Sequence, residues 1–286
     1  MLKRHTFKHR KIEISYLKWD DSQSKLRARS KQPLILLHGL ADCGMVWSSL
    51  IEHLAAEYDI VAPDLRGHGE SSKPETGYSS LEIIDDLEAL LDHLGWDRVH
   101  VLGHSWGGKL ATIWATNNPQ RFATLILVDP FYVNKLPSWL KITFPFLYRV
   151  LPFLKGMGPF SSQEEAEKLA KTLKQYRQWS PLQQRVFRET IEPKSDGIWG
   201  SKFTVAARNQ IFTDVMQRSG LTKSLTIPSL FIQPTEGLNR TKWQLKPYNT
   251  YLQNLEIKQV SGNHWAFLVN PDEFNRLVAE FLNKSC

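Results

Sequence analysis

The chain has 286 residues, 42% hydrophobic and 11% aromatic, enough to bury a sizeable core as one domain or as a domain with an insertion. Its formal net charge of +7 is moderate for the length and does not call for nucleic acid, while ten tryptophans and fourteen phenylalanines exclude an unfolded chain. Two cysteines, Cys43 and Cys286, cannot build a disulfide framework and match no metal-ligand spacing, so a reducing, cytoplasmic setting is expected and no metal is.

The start, "MLKRHTFKHRK", is basic but lacks the apolar stretch of a secretory signal. It reads as a solvated strand end or as a point of peripheral contact with an anionic membrane surface. No apolar run reaches the ~18 residues of a membrane span. Ile12, Ile14 and Tyr16 alternate with Lys11, Glu13 and Ser15, which predicts a half-buried strand. Short runs that are apolar on both faces follow: "LILL" (34–37), "DIVA" (59–62), "VHVLG" (99–103), "TLILV" (124–128), "SLFI" (229–232) and "LEIKQV" (255–260). Such runs suit parallel strands covered by helices. Helical spacing appears at Leu81, Ile84, Leu87, Leu90 and Leu91, at Leu110, Ile113 and Trp114, and at Phe274, Leu277, Val278 and Phe281. Asn270, Pro271 and Glu273 stand where a cap and a first turn belong. Strand and helix alternate, so the class is α/β.

The alternation stops between about 131 and 220. A helix is predicted to open at Ser161 or Ser162 and to carry Ala166, Leu169, Leu173 and Tyr176 inward, and no strand run appears before "SLFI". The predicted organisation is a core domain from 1–130 and 221–286 with a helical lid, or cap, insertion at 131–220.

The chemistry centres on "VLGHSWGGKLA", where a G-x-S-x-G pattern joins a strand run to a helical run. That junction is a sharp turn that exposes the serine, and Gly103, Gly107 and Gly108 keep its surroundings small. Ser105 is therefore the candidate nucleophile. The backbone N–H groups of Leu40, after His38-Gly39, and of Trp106 are candidate oxyanion donors. His38 reads as structural. His264 follows the last strand run, at the edge where open α/β sheets gather catalytic groups, and is the candidate base. His104 directly precedes the serine, and its side chain is expected to point away.

"LLHGLADCGMVW", "VAPDLRGHGESSKP", "VLGHSWGG" and "GNHWAFLVNPDEF" together resemble the successive landmarks of the α/β-hydrolase fold superfamily, in its serine-nucleophile branch. The resemblance runs from about Leu34 to the end and omits the insertion. It implies an eight-stranded, mostly parallel sheet with flanking helices and a helical lid, and the chain order nucleophile, acid, histidine. It also implies that Asp64, Arg66, Gly67 and Gly69 shape a loop near the site, a structural role. The family usually carries its acid soon after the strand formed here by "SLFI", but this chain reads "LFIQPTEGLNR". Glu236, 28 residues before His264, is the expected acid; Asp129, at the end of "TLILVD", is the rival, and a triad without either stays open.

A serine with a histidine base suits acyl transfer and needs no cofactor; relatives that open epoxides or remove halogens carry an aspartate at this turn instead. The aromatic segment "SWLKITFPFLYRVLPFLKGMGPF" suggests a greasy pocket, with Trp139, Phe144, Phe146 and Phe153 as expected substrate-binding residues. The reading is a serine hydrolase of a lipophilic carboxylic ester, its partner a small molecule. The alternatives are a carbon–carbon bond hydrolase or cofactor-free lyase on the same scaffold, and a weakly catalytic ligand-binding protein. The oligomeric state is not legible.

Overall fold

The structure, a computed structural model, describes residues 1–20, 31–135, 157–195 and 197–284. Strands β1 (Leu2–His9) and β2 (Ile12–Trp19) form an antiparallel hairpin, so the basic N-terminus is itself a strand. Then come β3 (Gln32–Leu37), α1 (Ser48–Leu54), β4 (Tyr58–Pro63), α2 (Ser80–Leu94), β5 (Val99–His104), α3 (Ser105–Asn117) and β6 (Phe122–Val128). Between β6 and the next strand of the main sheet lie α4 (Gln163–Ala170), α5 (Pro181–Thr190), a hairpin of β7 (Ile191–Pro193) and β8 (Trp199–Ser201), and α6 (Val205–Gln217). The chain closes with β9 (Ser229–Glu236), α7 (Lys242–Tyr251), β10 (Leu255–Asn263), the single turn α8 (Ala266–Val269) and α9 (Pro271–Lys284).

The eight-stranded sheet has the order β1-β2-β4-β3-β5-β6-β9-β10, with every pair parallel from β4 to β10. Two apolar layers sandwich it. Residues of α2 and α3, such as Leu87, Leu90, Leu110 and Trp114, cover one face, and Trp47, Ile51, Phe274 and Val278 cover the other. This is why the central strands read as unbroken apolar runs: each buries both of its sides. Helix α2 begins at a capping box between Ser79 and Glu82 and ends at Gly95, whose φ of 71° places it in the left-handed region that glycine tolerates.

Two expectations for the insertion are corrected. The β7–β8 hairpin stands where only helices were expected; its three-residue strands are too short to show a period in sequence. The helix capped by Ser162 stops at Ala170, and Leu173 and Tyr176 are buried from a separate 3₁₀ turn and its approach. Residues 136–156, with Trp139, Phe144, Phe146 and Phe153, lie outside the described residues, as does Cys286. Among the described residues no helix is long and apolar enough to cross a membrane.

Candidate active site

Parallel strands deliver their C-terminal ends to one edge of the sheet, and the candidate catalytic and oxyanion residues sit there. Ser105 follows β5, Leu40 follows β3, Asp129 follows β6, Glu236 ends β9 and His264 follows β10. Ser105 has φ of 52°, a left-handed conformation that a non-glycine residue holds only when its surroundings enforce it. The enforcement comes from close backbone approach. A Cβ on Gly103 would lie 2.5 Å from the Gly107 carbonyl oxygen, and one on Gly107 would lie 2.4 Å from that of His38. One on Gly108 would sit 2.9 Å from both the Gly103 carbonyl oxygen and the Pro130 Cβ. No larger side chain fits at these positions without moving the turn, so the strand-to-helix junction at Ser105 depends on its glycines.

His264 Nδ1 lies 2.6 Å from Asp129 Oδ2. The carboxylate only accepts, so Nδ1 donates and Nε2 is left as the acceptor on the other side of the ring. Asp129 is fully buried and has further donors: the Leu238 amide at 2.7 Å, the Asn239 amide at 3.0 Å and the Asn239 side chain at 2.9 Å. Burial pushes its pKa up, but His264 and these donors outweigh burial and hold the carboxyl below its ordinary value. Glu236 is therefore corrected as the partner of His264. Its side chain is exposed at the end of β9, and the residues after it turn inward to serve Asp129 instead. Gly237 makes that possible: a Cβ there would come within 2.6 Å of Asp129 Oδ2.

Ser105, His264, Leu40, Trp106 and Glu236 all line one cavity of about 530 Å³. Its walls are mainly apolar, with Phe131, Ile211, Phe212, Val215 and Leu238 among them, and Lys174 and Arg177 are polar exceptions. The insertion supplies Ile211, Phe212 and Val215 from α6, and Lys174 and Arg177 from the 3₁₀ turn and the residue after it. The ring of His68 stacks on Trp106 at 5.3 Å and on Phe203 at 4.3 Å, which fixes the Trp106 side of the cavity.

The structural readings of the neighbours are met. His38 is buried, its Nδ1 donating to the Gly39 carbonyl at 2.7 Å and its Nε2 accepting from the Leu65 amide at 2.9 Å. Asp64 accepts from the Gly44 amide at 2.7 Å, the Glu70 amide at 2.9 Å and Arg4 at 2.6 Å. Arg66 holds Asp86 through two bonds of 2.8 and 2.7 Å. His104 departs from expectation. Its ring does not leave the site but packs 4.5 Å from the His264 ring and lines the same cavity. Asp42 and Trp265, which also line the cavity, lie inside the landmark stretches 36–47 and 262–274 but are assigned no role there.

The sequence matches the model of the alpha/beta hydrolase fold family over residues 32–271. It is 41% identical over 102 residues to the soluble epoxide hydrolase of Corynebacterium sp. (strain C12), a match covering 36% of each chain. It is 35% identical over 103 residues to epoxide hydrolase 4 of Mus musculus, covering 35% of this chain and 29% of that one. The chain thus spans about a third of the length of these curated relatives. Among solved structures, E-2-(acetamidomethylene)succinate hydrolase superposes with a TM-score of 0.77 at 18% identity, covering 99% of this chain and 100% of that chain. A marine microorganism esterase superposes with a TM-score of 0.70 at 21% identity, covering 98% and 100%. At such identities the structural likeness speaks for the fold. The family match, the sheet order and the Ser105 turn agree: the chain belongs to the α/β-hydrolase fold family.

Proposed function

We propose that the protein is a serine hydrolase that cleaves a carboxylic ester with a lipophilic acyl or alcohol chain. The observation that supports this most is the 2.6 Å contact from Asp129 to His264, in the cavity that Ser105 enters from a strained turn. Asp129 holds the imidazole with its proton on Nδ1, so Nε2 takes the proton of Ser105 as Oγ attacks the ester carbonyl. Charge then develops on the carbonyl oxygen, and the N–H groups of Leu40 and Trp106 receive it. The imidazolium returns the proton to the leaving alcohol, leaving an acyl group on Ser105. Water, deprotonated by the same Nε2, releases the acid and restores the serine. No step calls for a cofactor.

The names of the epoxide hydrolase relatives do not carry over easily. An epoxide offers no carbonyl oxygen for an oxyanion pair to hold, and position 105 lacks the carboxylate that would form an alkyl ester. The apolar walls support a greasy substrate, and the segment 172–177 together with α6 acts as the lid over it. The binding-protein alternative rests on a missing acid, and the 2.6 Å contact of Asp129 with His264 counts against it. We place the reaction in the cytoplasm and read the basic strand β1 as a solvated strand end, whose Lys3, Arg4 and Lys8 pair with acidic side chains of the protein itself; cosedimentation with anionic vesicles that is lost on reversal of its charges would favour the alternative of peripheral membrane contact.

A chain-length series of p-nitrophenyl esters on wild type and Ser105→Ala tests the reading. It expects kcat/KM to rise from acetate to medium-chain esters and to vanish in the variant. Turnover of a diketone with all esters intact would transfer the site to carbon–carbon hydrolysis.

A further inference from the structure

Behind the His264–Asp129 pair lies a second buried carboxyl that the reaction does not use. Asp42 is 7% exposed and lines the catalytic cavity. Its Oδ2 accepts from the indole N–H of Trp265 at 3.4 Å and stands 3.9 Å from Nδ1 of His104. The state of the His104 ring follows from its other nitrogen. Nε2 lies 3.0 Å from the backbone carbonyl of His264, which can only accept, so Nε2 carries the hydrogen. Burial, and the neighbouring His264, hold His104 well below its ordinary pKa, so the ring is neutral and Nδ1 is a bare acceptor. That Nδ1 is buried without a hydrogen-bond partner, an unusual and costly condition. Gly39 keeps the space between the two groups clear: a Cβ there would lie 2.7 Å from Nδ1 and 3.2 Å from Oδ2.

An ionised Asp42 would set a negative oxygen against a lone pair. At 3.9 Å the two groups stand beyond hydrogen-bond distance; a protonated Asp42 that closes on His104 by about 1 Å has an O–H to give to Nδ1 while its oxygen still accepts from Trp265. We propose that Asp42 is a positioning residue that works in its protonated form, donating to His104 Nδ1 and so completing a strut from Asp42 through His104 to the backbone of His264. The strut braces the residue whose ring Asp129 orients from the other side. It makes the base conditional on a proton held elsewhere in the cavity wall. Burial supports that state, pushing the Asp42 pKa up to about 7 against the opposing bond from Trp265. Burial keeps the Cys43 thiol and the Tyr176 phenol beside Asp42 well above their ordinary values, and His104 stays neutral; Lys174, Arg177, Glu236 and His264 are the charged or titratable groups that share its cavity. Raising the pH past neutrality therefore ionises Asp42, breaks the strut and loosens the His264 backbone.

The inference rests on the proposed role of His264, so its test begins with signals that need no turnover. Protein labelled with ¹⁵N at histidine is titrated from about pH 6 to about pH 9, wild type beside Asp42→Asn, whose amide donates at every pH. The His104 Nδ1 resonance of wild type should move in one step near neutrality, and the proton between His264 and Asp129 should shift with it. Neither step should occur in Asp42→Asn. Ser105 labelling by a fluorophosphonate should then fall about fivefold more across that range in wild type than in Asp42→Asn, the worth of one hydrogen bond. Identical resonance titrations in the two proteins overturn the strut. A His104 step without movement of the His264 proton overturns its action on the base. A matching alkaline loss of labelling in Asp42→Asn overturns the link to reactivity and transfers it to Lys109, whose pKa burial lowers to about 7. If Ser105 reacts with no probe, the ester reading fails and the two resonances still decide the strut.

Discussion

Strands β6 and β9 are neighbours in the sheet, and each leads to an acidic residue at the same edge, yet only one of the two residues is built into the site. Asp129 is buried, with a histidine and three further donors on its oxygens. Glu236 is exposed at the cavity lining, and the loop after it spends its amides on Asp129. What makes a carboxylate the partner of His264 here is the set of donors that keeps it ionised while buried. The strand it follows matters less.

The largest effect is expected at Asp129. Asp129→Asn should cut kcat/KM by about three to four orders of magnitude, because an amide leaves the imidazole in the wrong tautomer. Steady-state hydrolysis of a p-nitrophenyl ester measures it, and a loss below tenfold would mean that the 2.6 Å contact does not orient the base. Gly237→Val comes next. Its side chain would invade the space of Asp129 Oδ2, so kcat should fall about ten- to a hundredfold, along with stability by about 1–3 kcal/mol. Glu236→Gln sharpens the same contrast from the other end, with kcat/KM staying within about threefold of wild type as for an exposed substitution.

Two smaller effects concern stability and pH, and their signs oppose. Asp129 has its pKa depressed in the fold, so its contribution is complete above the unfolded value of about 3.9 and is lost as pH falls through the folded one. Thermal melting in acid should therefore be steeper with pH for wild type than for Asp129→Asn. Asp42 has its pKa raised, so the folded state holds a proton that the unfolded chain has released, and stability drains away as pH rises from about 4 towards about 7. The Tm of Asp42→Asn relative to wild type should increase over that window; a constant difference would contradict a buried carboxyl that ionises late.

Much of the site was legible because it is local. The G-x-S-x-G turn needs small residues at fixed offsets, and Gly103, Gly107 and Gly108 announce it. His264 was legible from its place after the last strand run, and the sheet from its doubly apolar runs. The acid was misassigned because "QPTEG" offers a carboxylate in the usual region, while the decisive feature is a gap at Gly237, which appears only when β6 and β9 are paired. His104 and Asp42 were missed for a related reason: their roles depend on contacts with residues 264 and 265, more than 150 positions away in sequence. The β7–β8 hairpin carries too few residues to impose a period.

The proposed chemistry depends on acylation of Ser105. Rapid mixing with a medium-chain p-nitrophenyl ester, acid quenching and peptide mass analysis test it most directly. The account predicts an acyl adduct on the peptide carrying Ser105, formed in a burst with p-nitrophenol and accumulating in His264→Ala only slowly. Ester turnover at an undiminished rate in Ser105→Ala, or an adduct found on another residue, would contradict it.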